Sequence, residues 1–269
     1  MRASAPELAA AKKPETPAGK SRDILRKAAG IAAVLAAIVL LWSLAAAVMK
    51  RPFLPGPGTA AQALVRLGAA GVLARHLGAS ISRIFWAFTA SFIPAAALGL
   101  AAGRSPRINA VVSPVIYILH PLPKAAFLPI IMLILGLGEA SKIFLLGFII
   151  FSQILVAARD SSKRVPEELI ASVRSLGAGR TGIIRHVIIP SALPDLFTSV
   201  RVSLGTAVAV LFLAETFATD TGLGYLIIDA WTRIAYPEMY AAIMALSLLG
   251  LLLFGLVDIL EKILCPWNR

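Results

Sequence analysis

The feature that most restricts this chain is the recurrence of apolar runs of bilayer-crossing length. A transmembrane helix needs about 20 mostly apolar residues. Ile31–Met49, Ile84–Gly103, Ile143–Ala158, Leu196–Phe217 and Met239–Leu260 approach or reach that length. Composition agrees, since 58% of the 269 residues are hydrophobic against roughly 45–50% in an ordinary soluble domain. The expected fold class is therefore all-α, a polytopic helical membrane protein with about six crossings.

The sixth crossing is the difficult one. Ile108–Leu137 is too long for one tidy span and carries Pro114, Pro121, Pro123 and Pro129. Proline removes a backbone donor and clashes with the preceding turn, so the region is either one broken crossing or two short ones. Charge decides between them. With one crossing, seventeen basic residues lie on the inner side and seven on the outer, and Lys124 and Arg201 fall within spans, which accounts for all 26. That bias fits the excess of Lys and Arg expected in cytoplasmic loops. Two crossings would put the six basic residues of 159–187 outside. The reading is six spans with both termini cytoplasmic.

Residues 1–29 read as a mobile cytoplasmic tail and 30–51 as a retained transmembrane anchor, its apolar run being longer than that of a cleaved signal segment. A transmembrane domain covers 52–264, with a cytoplasmic loop at 159–194, and 265–269 form a short tail. Within 50–80 the apolar residues alternate with Gln62, Arg66, Arg75 and His76, which suits a helix lying on the membrane surface.

The net charge of +12 raises nucleic-acid binding as an alternative, but the basic residues sit between apolar runs and form no continuous stripe. The single cysteine, Cys265, excludes an internal disulfide. His76, His120 and His186 lie in different segments, so no metal site is expected. Gly-Leu-Gly occurs at 136–138 and 222–224 without the Gly-Lys-Ser/Thr of a phosphate loop. No cofactor is expected and the chain should not hydrolyse ATP itself.

The only long polar stretch on the inner side is 159–194. Pro166 followed by Glu167 and Glu168 is a good helix start, because proline suits the first turn and acids there complement the helix dipole. Leu169, Ile170, Val173 and Leu176 give one apolar face. Gly177 and Gly179 end that helix. A second amphipathic run, Ile183, Ile184, Val187 and Ile188, is closed by Pro190 and Pro194. The result is a helix–glycine–helix hairpin, stiff enough to seat in a partner and transmit a push. The plainer alternative is a surface hairpin that ties two spans together.

The pattern Arg174-Ser-Leu-Gly177 and Val187-Ile-Ile-Pro190 resembles the EAA loop of binding-protein-dependent ABC importer permeases. Gly177 and Pro190 fall where that motif has its Gly and its Pro. Phe53-Leu-Pro-Gly-Pro57, Pro121-Leu-Pro-Lys124, Gly136-Leu-Gly-Glu139-Ala-Ser-Lys142-Ile143, Ala214-Glu215 and Thr221-Gly-Leu-Gly-Tyr225 are similar to the nitrate/sulfonate/taurine-type branch. Together these segments cover about 52–264. The motif's Glu position is Ala171 here, and Glu168, one turn earlier, is the carboxylate nearest that face.

The resemblance implies a type I ABC importer permease (MetI-like) fold in the inner membrane. It implies two copies of this chain, two ATPase subunits that do the hydrolysis, and an extracytoplasmic solute-binding protein. The solute implied is a small anion such as an alkanesulfonate, taurine or nitrate. It assigns ATPase coupling to Glu167, Glu168, Ala171, Arg174, Ser175, Gly177, Arg180 and Pro190. His120, Pro121, Pro123 and Lys124 are candidates for the translocation path, because irregular backbone and charge at membrane depth are tolerated only where shielded or facing a cavity. Lys124 would attract an anion there, or else snorkel from a kinked helix. Glu215 joins them as a possible gate, although its place near Asp220 at a span end favours a hydrated interfacial acid. Arg201 is expected to snorkel or to pair with a carbonyl, and Glu139 with Lys142 to form a weak helical pair. The alternative function is a secondary transporter driven by an ion gradient, which would show repeats and mid-membrane charges. An intramembrane enzyme would need a nucleophile–base pair or a metal set, and neither is visible.

Overall fold

The computed structural model describes residues 17–268, and every structural statement below refers to them. The chain divides into two units, residues 1–57 and 58–269. The first contains α1 (Pro17–Met49), whose Ala29–Met49 portion is long and apolar enough to cross a membrane. Trp42 Nε1 donates to Pro55 O over 2.9 Å, tying the Pro52–Pro57 turn to that helix. α1 starts inside the segment read as a tail, and residues 1–16 of that tail lie outside the described residues.

The second unit holds ten helices among the described residues: α2 (Pro57–Ala69), α3 (Val72–Arg104), α4 (Pro106–Leu119), α5 (Leu128–Leu135), α6 (Glu139–Arg164), α7 (Glu167–Ser175), α8 (Arg180–Ile183), α9 (Ile189–Ala214), α10 (Leu223–Thr232) and α11 (Tyr236–Leu264). A 3-10 turn at Lys124–Phe127 leads into α5, and a π turn at Ile184–Ile188 joins α8 to α9. Five helices have the length and apolarity of a span, α8 to α9 counting as one. α4 and the segment Lys124–Leu135 bend by 85° across a short break and make a sixth crossing if taken as one broken span. The all-α class and the count of five to six apolar helices follow the sequence expectation.

α3 and α6 form the centre of the bundle, and small residues explain how closely they approach. A Cβ on Gly99 would stand 2.6 Å from Ala158 Cβ, one on Gly103 2.7 Å from Ser162 Cβ, and one on Gly147 2.7 Å from Ser91 Oγ. With no hydrophobic driving force between helices in lipid, dense packing of this kind carries the association. α9 adds Leu196, Val200, Leu204, Ala207 and Leu211 to the same core, and α11 adds Ala245, Leu249 and Val257. A second cluster joins α2, α10 and α11, and a third joins α5 to α6 and α9.

Two local expectations are corrected. The surface helix proposed through residue 80 ends at Ala69. Gly71, in the left-handed region at φ 74°, turns the chain, and Arg75 and His76 then belong to the first turns of α3. At 33 residues α3 runs about 50 Å, well beyond its Ile84–Gly103 apolar stretch. Pro190 and Pro194 do not close the second hairpin limb, because helix continues from Arg180 to Ala214. Pro190 has no N–H for the His186 carbonyl, and its ring crowds that oxygen. The π register, in which Ile189 N–H donates to Ile184 O, absorbs the mismatch, as inserted turns of this type do within helices.

Candidate functional site

Two polar assemblies stand at opposite ends of the α3–α6 pair. At the Arg104 end lies the hairpin. α7 starts at Glu167, directly after Pro166. Its C-terminus is a Schellman turn: Ala178 N–H donates to Val173 O over 3.3 Å and Gly177 N–H to Arg174 O over 2.9 Å. Gly177 occupies the left-handed position, φ 87°, which only glycine adopts without strain. Ile170, Ile183, Val187 and Ile188 bury together with Val165, with Val173 and Leu100 against them. The expected apolar face therefore splits. Ile170 and Val173 turn inward, while Leu169 and Leu176 are exposed, Leu176 at 86%.

The coupling candidates gather on this one element. Glu168, Ala171, Arg174, Ser175 and Arg180 are all exposed. Glu168 and Ala171 lie three residues apart and so nearly share a face. Glu167 accepts from Arg104 Nη1 over 2.6 Å. Arg104 Nη2 also donates to Val165 O over 2.7 Å and to Ser162 O, so one guanidinium joins the ends of α3 and α6 to the start of α7. Pro190 is half-buried in the first turn of α9, apart from the exposed coupling residues.

The path candidates do not form one group. His120, Pro121 and Pro123 occupy the exposed break after α4. Lys124 opens the 3-10 turn, with Nζ 3.5 Å from His120 O. Glu215 has other partners. It is fully buried, which overturns the reading of a hydrated interfacial acid. Its carboxylate accepts from Arg83 Nη1 at 2.7 Å, from Ser80 Oγ at 2.8 and 3.0 Å, and from Gly224 N–H at 2.8 Å.

Arg83 is the residue that sequence reasoning missed. Its side chain is 1% exposed. Nε and Nη2 hold Glu139 bidentately at 2.6 and 2.5 Å. Nη1 adds the Thr221 carbonyl at 2.9 Å, and Nη2 the Thr221 and Thr219 hydroxyls at 3.1 and 3.3 Å. A carboxylate pair in fork geometry is the arrangement for which a guanidinium is suited and an ammonium is not. Ser80 also accepts from Leu223 N–H at 2.9 Å, and His76 Nδ1 lies 3.2 Å from Gly222 N and 3.0 Å from Gly222 O. The visible signal was spacing, since His76, Ser80 and Arg83 recur at intervals of four and three and share one face of α3.

Lys142 completes the assembly. The expected pair with Glu139 is absent, because Arg83 takes that carboxylate. Lys142 instead is buried and donates to the carbonyls of Leu137, Gly138 and Ala218 at 3.3, 3.4 and 3.2 Å. Gly222, at φ 116°, passes so close that a Cβ would stand 2.3 Å from Glu215 Cδ. Arg201 is also corrected: it pairs with Asp258 at 2.7 Å and with Glu261, bolting α9 to α11. Among the described residues no group of His, Cys, Asp or Glu could hold a metal ion.

The geometry is that of a membrane helix bundle with an exposed hairpin at one end. Comparison with known proteins assigns it. Residues 95–267 match the family described as binding-protein-dependent transport system inner membrane component. The chain belongs to that family. It is similar to the taurine transport system permease protein TauC of Escherichia coli (strain K12), 33% identical over 89% of this chain and 88% of that protein. It is also similar to the putative aliphatic sulfonates transport permease protein SsuC of the same organism, 30% identical over 86% of this chain and 89% of that one. A chain in structures of the MetNI methionine ABC transporter in inward facing conformations shares the fold, with a TM-score of 0.57 at 23% identity, over 70% of this chain and 92% of that one.

This permease is therefore a multi-pass inner-membrane subunit of an ABC importer and works with a separate ATPase subunit and a solute-binding protein. Family membership sets aside the gradient-driven alternative.

Proposed function

We propose that this permease carries a small sulfonate-bearing anion, of the taurine and alkanesulfonate type, and that the Glu167–Ile188 hairpin is the element its ATPase seats. The observation that carries the coupling assignment is the division of that hairpin. Ile170, Ile183 and Val187 lock it to the bundle, while Leu169 and Leu176 stay exposed beside Glu168, Arg174 and Arg180. An exposed apolar pair rimmed by charge, on an element stiff enough to move as a unit, is what a force-bearing contact requires. Glu168 supplies the carboxylate that Ala171 does not.

The working complex contains two copies of this chain and two ATPase subunits, and the chain's N and C termini face the cytoplasm, as the charge bias supports. Residues 30–51 serve as the anchor and 52–264 as the permease domain, with the break at His120–Lys124 and Glu215 its candidate path residues. The solute assignment rests on TauC and SsuC, named for taurine and aliphatic sulfonates, which share a sulfonate group. Differential affinity of the ATP-bound and ATP-free ATPases for two permease conformations drives the cycle.

The test is uptake into proteoliposomes that hold the permease, its ATPase and its binding protein. ATP inside should support accumulation of taurine or an alkanesulfonate. Accumulation without the ATPase would overturn the coupling assignment. ATP-driven uptake of some other solute, with no competition from sulfonates, would overturn the solute.

A further inference from the structure

We propose that Arg83 and Lys142 are positioning residues that hold the 215–222 loop to the α3–α6 pair, so that loop and pair move as one body in the transport cycle. This deepens the permease reading and rests on it for its functional consequence.

The loop leaves α9 at Glu215 and enters α10 at Leu223. Between those points two buried cations, one from each central helix, grip it. Arg83 of α3 takes Glu215, the Thr221 carbonyl and the hydroxyls of Thr219 and Thr221. Lys142 of α6 takes the Ala218 carbonyl. Ala218 stands at φ 45°, a conformation that costs a non-glycine residue and persists only where the surrounding structure holds it. Arg83 also spans α3 and α6 through Glu139, whose side chain stays partly in solvent, at 57% exposure.

Burial of so many charges is a poor way to gain stability, since well-packed apolar groups of the same volume do as well or better. What this network supplies is geometry. Two cations and two carboxylates balance in charge, and the named hydrogen bonds fix one placement of the loop. A displacement of the central pair is therefore delivered to the loop without slack, and through it to α9 and α10.

The experiment places a nitroxide at Asp220→Cys, an exposed loop position whose carboxylate makes only a long 3.9 Å contact with Arg75, in a Cys265→Ala background that serves as the parent for every comparison. Mobility is read in lipid nanodiscs, and uptake per ATP consumed is read in the assembled complex. Arg83→Lys keeps the charge but loses the fork, and Lys142→Met leaves both carboxylates with Arg83 while releasing Ala218. Both should give a mobile spectral component, and uptake per ATP should fall on the order of tenfold, as misplacement of a remote positioning group can cause. Should Arg83→Lys fail to accumulate in the membrane, Lys142→Met decides alone. An unchanged spectrum, or a mobile loop with unchanged uptake per ATP, overturns the proposal. If the parent complex shows no ATP-dependent uptake, the permease reading fails instead, while the spectra still judge the grip itself.

Discussion

Arg104 Nη1 donates to Glu167 Oε1 over 2.6 Å, across a junction where α3 ends, α6 ends and α7 begins. The carboxylate is 80% exposed, so the ion pair alone contributes about 1 kcal/mol or less. The carbonyls of Ser162 and Val165 on Nη2 matter more, because they lie where α6 turns into α7, and the only backbone donor on Ser162 O is Val165 N–H at a long 3.4 Å. Arg104→Ala should leave the bundle folded and loosen the base of the hairpin. Glu167→Gln should have a far smaller effect. Crosslinking yield between hairpin and ATPase measures both, and equal losses in the two variants would contradict this division.

Gly177→Val probes the hairpin turn without crowding it. Nothing lies within 4 Å of a Cβ built there, so the cost is the backbone strain of φ 87°. For a side chain in the left-handed region that is about 1–2 kcal/mol, more for a branched one and small against a whole bundle. The subunit should reach the membrane in normal amounts, with binding-protein-stimulated ATP hydrolysis and uptake both lost. Normal stimulation and uptake in this variant would remove the hairpin from the coupling role.

The hairpin was legible in sequence because each part obeys a local rule: proline and acids at the start, glycine at the stop, apolar spacing between. The spans were legible for the same reason, as runs of apolar residues need no knowledge of their neighbours. The Arg83 assembly was not. Its partners lie 56 and 132 residues away, and a carboxylate at a span end looks interfacial until a cation from another helix is brought to it. Glu139 and Lys142 show the same limit: their spacing suits a helical pair, yet tertiary contacts give each a different partner. Pro190 misled in the opposite way, since a local rule that usually ends a helix was met here by a change of register.

The α3–α6 seam makes its own prediction. A Cβ at position 99 would stand 2.6 Å from Ala158 Cβ and 2.7 Å from Leu155 O. Gly99→Ala should destabilise the bundle by about 1–3 kcal/mol, the usual cost of overpacking. Ala158→Gly removes the first of the two clashes but not the second. The double variant should therefore recover part of the loss, read as the midpoint of thermal unfolding in detergent. Full additivity of the two single effects would show that the helices do not meet as described.

Cys265 gives a prediction about reactivity. It sits beyond the end of α11, 2% exposed, with its N–H donating to Glu261 O over 2.7 Å. Burial, and then the Glu261 carboxylate, push the thiol above its ordinary value. A raised value means less thiolate at any given pH, and thiolate is the species that attacks. Maleimide labelling of the intact subunit near neutral pH should therefore be at least about tenfold slower than labelling of Leu264→Cys in a Cys265→Ala background, position 264 being 51% exposed. Raising the pH should go on speeding the Cys265 reaction after the rate of an exposed thiol has levelled off, because its ionisation is completed at higher pH, and unfolding in denaturant should remove the difference. Equal rates in the folded protein would mean that the residues after α11 leave this thiol open to solvent.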